Sequence, residues 1–152
     1  MPEQFETLVP LAAEWAAAEE ERILREGVPL AEDEIADAKA AGVREPERVR
    51  LLKVDAIPSP SHPILKAARN AIDFLPPVAR GLTLNHGIFV RADCWRRRSL
   101  IVHELAHTAQ YERLGGILPF LREYLFECLT SGYSEAPMEQ EANEVAARVC
   151  GR

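Results

Sequence analysis

Cysteine is scarce in this chain of 152 residues: Cys94, Cys128 and Cys150 are odd in number and widely spaced. That argues against a disulfide framework or a cysteine metal knuckle, and suits small core or surface residues in a reducing compartment. Positive charge is in deficit too. Eighteen basic against 24 acidic side chains leave a net charge of −6, which argues against nucleic acid as the default partner. No run approaches the roughly 20 apolar residues of a membrane span. The opening PEQFETLVP has neither the basic start nor the apolar stretch of a secretory signal. The expectation is a cytoplasmic chain with no membrane partner. What is present, 47% apolar and 28% charged residues, is ordinary for a globule, and this length supports one domain with a sizeable core.

The acidity is uneven, and it divides the chain. Residues 1–50 hold thirteen acidic and six basic side chains, while the other eleven acidic and twelve basic nearly balance. Phe5, Leu8, Val9, Ala12, Trp15 and Ala16 recur at helical spacing, predicting a helix from about Glu3 to Arg25, before Gly27. A second, alanine-rich and acidic, is expected from near Leu30 to Ala41, ended by Gly42. Trp15 and its apolar neighbours need cover, so residues 1–46 read as a helical preface packed on a unit spanning 47–152, all one domain.

In that unit, Val49, Leu51, Leu52, Val54 and Ile57 suit a strand buried on both faces. The prolines at 58, 60 and 63 turn the chain into a helix capped by Ser61 or His62, with Ile64, Leu65, Ala68 and Ile72 inward, ended by Pro76-Pro77. Gly81 to Arg91 reads as a hairpin or bent strand with Asn85-His86-Gly87 as its turn, which makes His86 most simply a turn residue. Ile117 to Leu129 reads as a scaffold helix between Gly115-Gly116 and Gly132-Tyr133, with Pro119 in its first turn. The expected fold is α+β, mainly helical, with a small sheet before the segment that carries the chemistry.

That segment is His103-Glu104-Leu105-Ala106-His107. Residues four apart on a helix lie about 400° round, so the two histidines stack on one face within reach of one ion. Paired neutral imidazoles suit Zn²⁺. Glu104, one position round, is too far off-axis to ligate beside both but well placed to touch a water on the ion, as a general base must. Asp93 is the expected N-cap, and Leu100, Ile101, Val102, Leu105 and Ala106 supply apolar flanks. Ser99, His103, His107 and Gln110 share another face, turned toward a cleft. Arg96-Arg97-Arg98 oppose the dipole of a first helical turn and are expected to be solvated or paired with the acidic preface.

Catalytic zinc keeps three protein ligands and one open position. His62 and His86 lie upstream, so the third ligand is sought in Pro137-Met138-Glu139-Gln140-Glu141-Ala142-Asn143-Glu144, a helix opened by proline. Glu141 borders the apolar face of Met138, Ala142, Val145, Ala146 and Val149, beside a small residue that permits close approach, and is the preferred ligand. Glu139 is the rival, read as lying on the far side. Glu144, one turn beyond Glu141, could support an imidazole from behind.

HELAHTAQYERLGG, followed downstream by PMEQEAN, resembles the gluzincin metallopeptidases, specifically small single-domain ones. The resemblance covers roughly Val49 to Val149 and is specific over the two helices. It implies a zincin-like fold, His103, His107 and Glu141 as zinc ligands, and Glu104 as catalytic base. It also implies an edge strand before the zinc helix that binds extended peptide, with Ile88 to Arg91 as the candidate. Thermolysin-like members often carry an aspartate four residues after the glutamate ligand; this chain has Val145 there, leaving Glu144 or Asn143 as substitutes.

The sequence thus leads to an expected zinc-dependent metallopeptidase acting on a peptide or protein substrate. Tyr133 is the first candidate to donate to a developing oxyanion, and Tyr111 the second. The alternative is a zinc-binding, catalytically silent zincin-like interaction module. A nucleic-acid-associated protein using the arginine cluster is a weaker third.

Overall fold

The computed structural model describes residues 3–63, 65, 66 and 79–151. Their elements, in chain order, are α1 (Glu3–Glu26), β1 (Val28–Pro29), α2 (Glu32–Ala40), β2 (Arg50–Val54), β3 (Gly81–Leu84), β4 (Gly87–Arg91), α3 (Arg98–Leu114), α4 (Ile117–Ser131) and α5 (Pro137–Cys150). The fold is α+β and mostly helical. No helix among the described residues is long and apolar enough to cross a membrane.

The four strands form one mixed sheet in the order β1-β2-β4-β3. β2 and β4 are parallel, with Leu51 opposite Ile88 and Leu52 opposite Phe89, while β3 and β4 form an antiparallel hairpin. Its turn is built on Asn85 at φ 62°, a left-handed position that asparagine tolerates. Side chains alternate across a strand, and here the alternation separates two cores. Leu51, Ile88 and Val90 face one way, into a cluster with Val102, Leu105, Ala106 and Ala109 of α3 and Ala142, Val145 and Val149 of α5. Leu52, Val54, Leu82, Leu84 and Phe89 face the other way, toward Ala16 and Ile23 of α1. A third cluster joins Phe5 and Val9 of α1 to Phe120, Tyr124 and Leu125 of α4, with Tyr111 stacked on Phe120 at 3.6 Å.

The strand order corrects one expectation. Ile88 to Arg91 is not an edge: β4 is paired on both sides, because β2 inserts in parallel beside it. Among the described residues the edges are β1, Val28–Pro29, and β3, Gly81–Leu84, of which β3 is the one that touches α3. Local patterning cannot reveal this, since strand order depends on where a distant segment returns.

The start of α3 also differs from expectation. Asp93 does not cap it; its carboxylate is held by the Arg91 guanidinium at 2.6 and 3.0 Å within a short turn, Ala92–Cys94. The helix begins later, after Arg97, and ends where Gly115 takes φ 103°, a left-handed position natural to glycine. Arg98 and Arg96 meet the acidic segment as anticipated. Arg98 grips Asp37 with two 3.0 Å hydrogen bonds, and Arg96 lies 3.7 Å from Glu34. Lys66 N donates to His62 O, a helical turn where one was expected. The remainder of that expected helix, with Ile64, Ala68, Ile72 and Pro76-Pro77, lies outside the described residues.

α3 and α5 approach closely because small residues meet between them. Ala106, Ala109 and Ala142 are all buried in the cluster they share. Ala142→Leu should therefore lower stability by about 1–3 kcal/mol through overpacking. Urea unfolding checks this, and an unchanged midpoint would show that the interface has room to spare.

Candidate metal centre

α3 carries His103 and His107 one turn apart, with ring centroids 4.9 Å from each other. Facing them is Glu139 in the first turn of α5. Its Oε1 lies 3.1 Å from His103 Nε2 and its Oε2 lies 3.1 Å from His107 Nε2. The ligand atoms of the three residues all lie within 4.8 Å of one another, close enough to hold one metal ion. Tyr124 of α4 donates its hydroxyl to Glu139 Oε2 at 2.6 Å, fixing the carboxylate from behind.

The hydrogen bonds around His107 determine where its proton sits. Gln110, fully buried, donates through Nε2 to Met138 O at 3.0 Å and to Glu141 Oε1 at 2.7 Å. Both are acceptors only, so the Gln110 amide has one workable orientation, and its Oε1 faces His107 Nδ1 at 2.8 Å. Nδ1 therefore carries the hydrogen, and a neutral ring presents a bare lone pair at Nε2. That lone pair faces a carboxylate oxygen, and two lone pairs at such a distance repel. A positive charge has to lie between them, as a proton on Nε2 or as a metal ion.

Electrostatics agree with this reading. Burial opposes charge on His107, but the hydrogen bond and attraction of Glu139, helped by Glu104, outweigh it and push its pKa up to about 9. Burial likewise opposes charge on Glu139, yet its bonds to His103 and His107 hold the carboxyl well below the usual range. Two imidazole nitrogens and one carboxylate, with a fourth side open to a cavity, are a donor set that suits catalytic zinc. The residues present fit that ion.

Glu104 is nearly buried and is positioned by the edge strand. Alternation along β3 turns Gly81 and Thr83 toward α3, and Thr83 Oγ1 donates to Glu104 Oε1 at 2.7 Å. A Cβ at Gly81 would stand only 3.1 Å from Glu104 Oε2, so the glycine leaves room for that oxygen. His103, Glu104, His107, Glu139, Thr83 and Tyr133 all line one cavity of about 610 Å³.

Glu141 is not the acid at the histidine pair, which corrects the sequence reading. It lies half exposed on the other edge of α5, held by Gln110 and by Arg113 at 2.8 Å. At about 100° per residue, Glu139 and Glu141 flank the apolar stripe at nearly equal angles on opposite sides. Sequence pattern alone treats the two edges as equivalent, and the roll of α5 against α3 decides between them. Glu139, Asn143 and Ala146 form the cavity edge. Glu144 points outward, exposed and away from the cavity lining, so it supports neither imidazole. That position behind His107 belongs to Gln110, which shares the histidine face one turn on.

Tyr133 lines the cavity, and burial, then the charge of Glu139, raise its phenol above its usual range and keep it a donor. Tyr111 is occupied differently: its hydroxyl donates to Thr83 O at 3.0 Å, tying α3 to β3. His86 is buried away from the cavity lining, with Nε2 3.0 Å from Glu112 Oε2. Glu45, His86 and Glu112 form a second potential metal group, but the Glu112 carboxylate already accepts from the backbone N–H groups of Arg44 and Glu45.

No family model, curated protein or solved structure matches this chain.

Two outcomes follow from the proton accounting. Gln110→Ala should weaken zinc binding by about 10–100-fold, measured by competition with a chromogenic chelator. Unchanged affinity would show that the His107 orientation does not depend on Gln110. In the metal-free chain His107 holds its proton more tightly folded, at about 9, than its ordinary value of 6.5. Its contribution is thus complete below pH 6.5 and lost as pH rises through 9, while that of Glu139 runs the other way and is lost in acid. Thermal melts should show Tm falling across the alkaline window, and His107→Gln should flatten that fall. An equal slope in both proteins would contradict the proton assignment.

Proposed function

We propose that this chain is a zinc-dependent hydrolase of peptide bonds, with His103, His107 and Glu139 holding the ion. One observation carries the reading: two imidazoles and a carboxylate converge from separate helices, with Glu104 beside them in the same cavity. A structural site would be closed by a fourth side chain; here the open side faces that cavity. When bound, zinc polarises the scissile carbonyl and lowers the pKa of a coordinated water toward neutrality.

The remaining work falls to the side chains. Glu104 takes a proton from the attacking water and delivers it to the leaving amine, a role that usually contributes about 10²–10⁴-fold. Its Oε1 is anchored by Thr83, so the carboxylate keeps one orientation throughout. Tyr133, held in its protonated form, is the hydrogen-bond donor available to an oxyanion. β3 supplies binding. Its outer edge belongs to the strand that holds Glu104, so a peptide added there in extended form runs past the reacting groups.

The test separates metal binding from chemistry. Glu104→Gln should keep one zinc per chain, by elemental analysis, and lose peptide cleavage about 10²–10⁴-fold. His103→Ala and Glu139→Ala should lose both, whereas Glu141→Ala should retain the ion. Equal cleavage by wild type and Glu104→Gln would remove Glu104 from the chemistry. Stoichiometric zinc without chelator-sensitive cleavage would favour the silent interaction module instead.

A further inference from the structure

Helical spacing gives α3 and α4 one matching face each. On α3, His107 and Tyr111 are four residues apart, and on α4 so are Phe120 and Tyr124. Gly115 and Gly116, at φ 103° and 127°, turn the chain tightly enough between the helices to bring these faces together. The Tyr111 and Phe120 rings stack at 3.6 Å with 12° between their planes, and Phe120 stacks on Tyr124 at 5.4 Å with 14°. Three nearly parallel, buried rings thus form one column. His107 stands edge-on to two of them, 6.3 Å from Phe120 and 6.1 Å from Tyr124.

The two ends of the column lead to the two acids of the site. At one end the Tyr124 hydroxyl donates to Glu139 Oε2 at 2.6 Å. At the other the Tyr111 hydroxyl donates to Thr83 O at 3.0 Å, and Thr83 Oγ1 in turn donates to Glu104 Oε1 at 2.7 Å. Both carboxylates are therefore tethered, through phenol groups, to one stack of rigid rings. Phe120, in the middle, has no polar atom on its side chain and offers neither acid a hydrogen bond. What it does offer is a flat face on each side, which holds the plane of the ring above and of the ring below. An aliphatic side chain at that position would leave both tyrosines free to tilt.

We infer that Phe120 is a positioning residue, and that the column of Tyr124, Phe120 and Tyr111 sets the distance between Glu139 and Glu104. The inference rests on the hydrolase reading and adds to its machinery a residue that no motif marks. The acid that would hold the ion and the acid that would move the proton need a fixed separation. Misplacing a reacting group by about 1 Å can cost about 100-fold in rate. Tyr124 on α4 and Thr83 on β3 hold the two acids separately, and the column joins the two holds.

Phe120→Leu is compared with the wild-type full chain in three ways. These are zinc affinity by chelator competition, the visible absorption of the cobalt(II)-substituted protein, and kcat and KM on a fluorogenic peptide drawn from a mixed library. Zinc affinity should fall about 10–100-fold and the cobalt bands should shift. The kcat should fall about 10–100-fold while KM moves less than about twofold. Phe120 also lines the cavity, and a ring that served only as its wall would raise KM and leave the cobalt spectrum alone. A ring that only filled the core would lower Tm and nothing else. Either result would overturn the inference.

Two milder variants keep all three rings in place. Tyr124→Phe should weaken zinc binding and shift the cobalt bands, whereas Tyr111→Phe should lower kcat with zinc binding unchanged. In the Phe120→Leu background, removing either hydroxyl should add less than about twofold, because the link is already broken; full additivity would contradict the link. Phe120→Met, which keeps bulk without the flat face, repeats the test if the leucine variant does not fold. If the wild type cleaves no peptide the hydrolase reading falls, and the column stands or falls on the zinc affinities and cobalt spectra of the same variants.

Discussion

A carboxylate lies against two imidazoles, and at one of them, His107, the contact is tolerable only with positive charge between the two groups. Glu139 faces both His103 and His107 at 3.1 Å, while Gln110 commits the only hydrogen of a neutral His107 to the far side of the ring. Everything near this point serves to hold those groups together. α3 presents the two rings, α5 brings the acid, α4 steadies it through Tyr124, and β3 holds Glu104 through Thr83. Packing elsewhere keeps these groups in contact, above all the alanine-rich seam between α3 and α5. Positive charge at that point, a proton on His107 Nε2 or a bound cation, makes the contact attractive.

The sheet contributes in a way that follows from strand alternation. Successive residues of β3 serve opposite cores, with Leu82 and Leu84 toward α1 and Thr83 toward Glu104. One short strand therefore borders the cavity, anchors the proposed base and is, among the described residues, an edge of the sheet. Confining these tasks to neighbouring residues is economical in a chain this small. It also means that moving β3 by one residue would exchange its two faces and dismantle the site.

Much of this was legible in the sequence, and the rest failed for identifiable reasons. Helical spacing identified α1, α3, α4 and α5, and glycines marked where helices stop, because both signals are local. The pairing of arginines with the acidic segment could be anticipated from charge alone, as Arg98 and Asp37 bear out. Glu139 was misjudged because two glutamates bracket one apolar stripe symmetrically, and only the roll of a helix against its neighbour breaks the tie. Asp93 looked like a cap, but Arg91 two residues away claimed its carboxylate. The interior place of β4 was hidden because β2, 30-odd residues upstream, pairs beside it in parallel. Thr83 and Gln110 lack any motif; their roles exist only once β3 and α5 lie against α3, although Gln110 shares the face of the histidines.

His103, His107 and Glu139 are the three groups proposed to hold an ion. A crystal structure of the zinc-loaded chain, with zinc located by its anomalous scattering, tests this directly. The account expects one ion about 2 Å from Nε2 of His103, Nε2 of His107 and an oxygen of Glu139, with its remaining side open to the cavity. Zinc bound through Glu141, or an ordered metal-free carboxylate and imidazole pair in crystals grown with excess zinc, would contradict it.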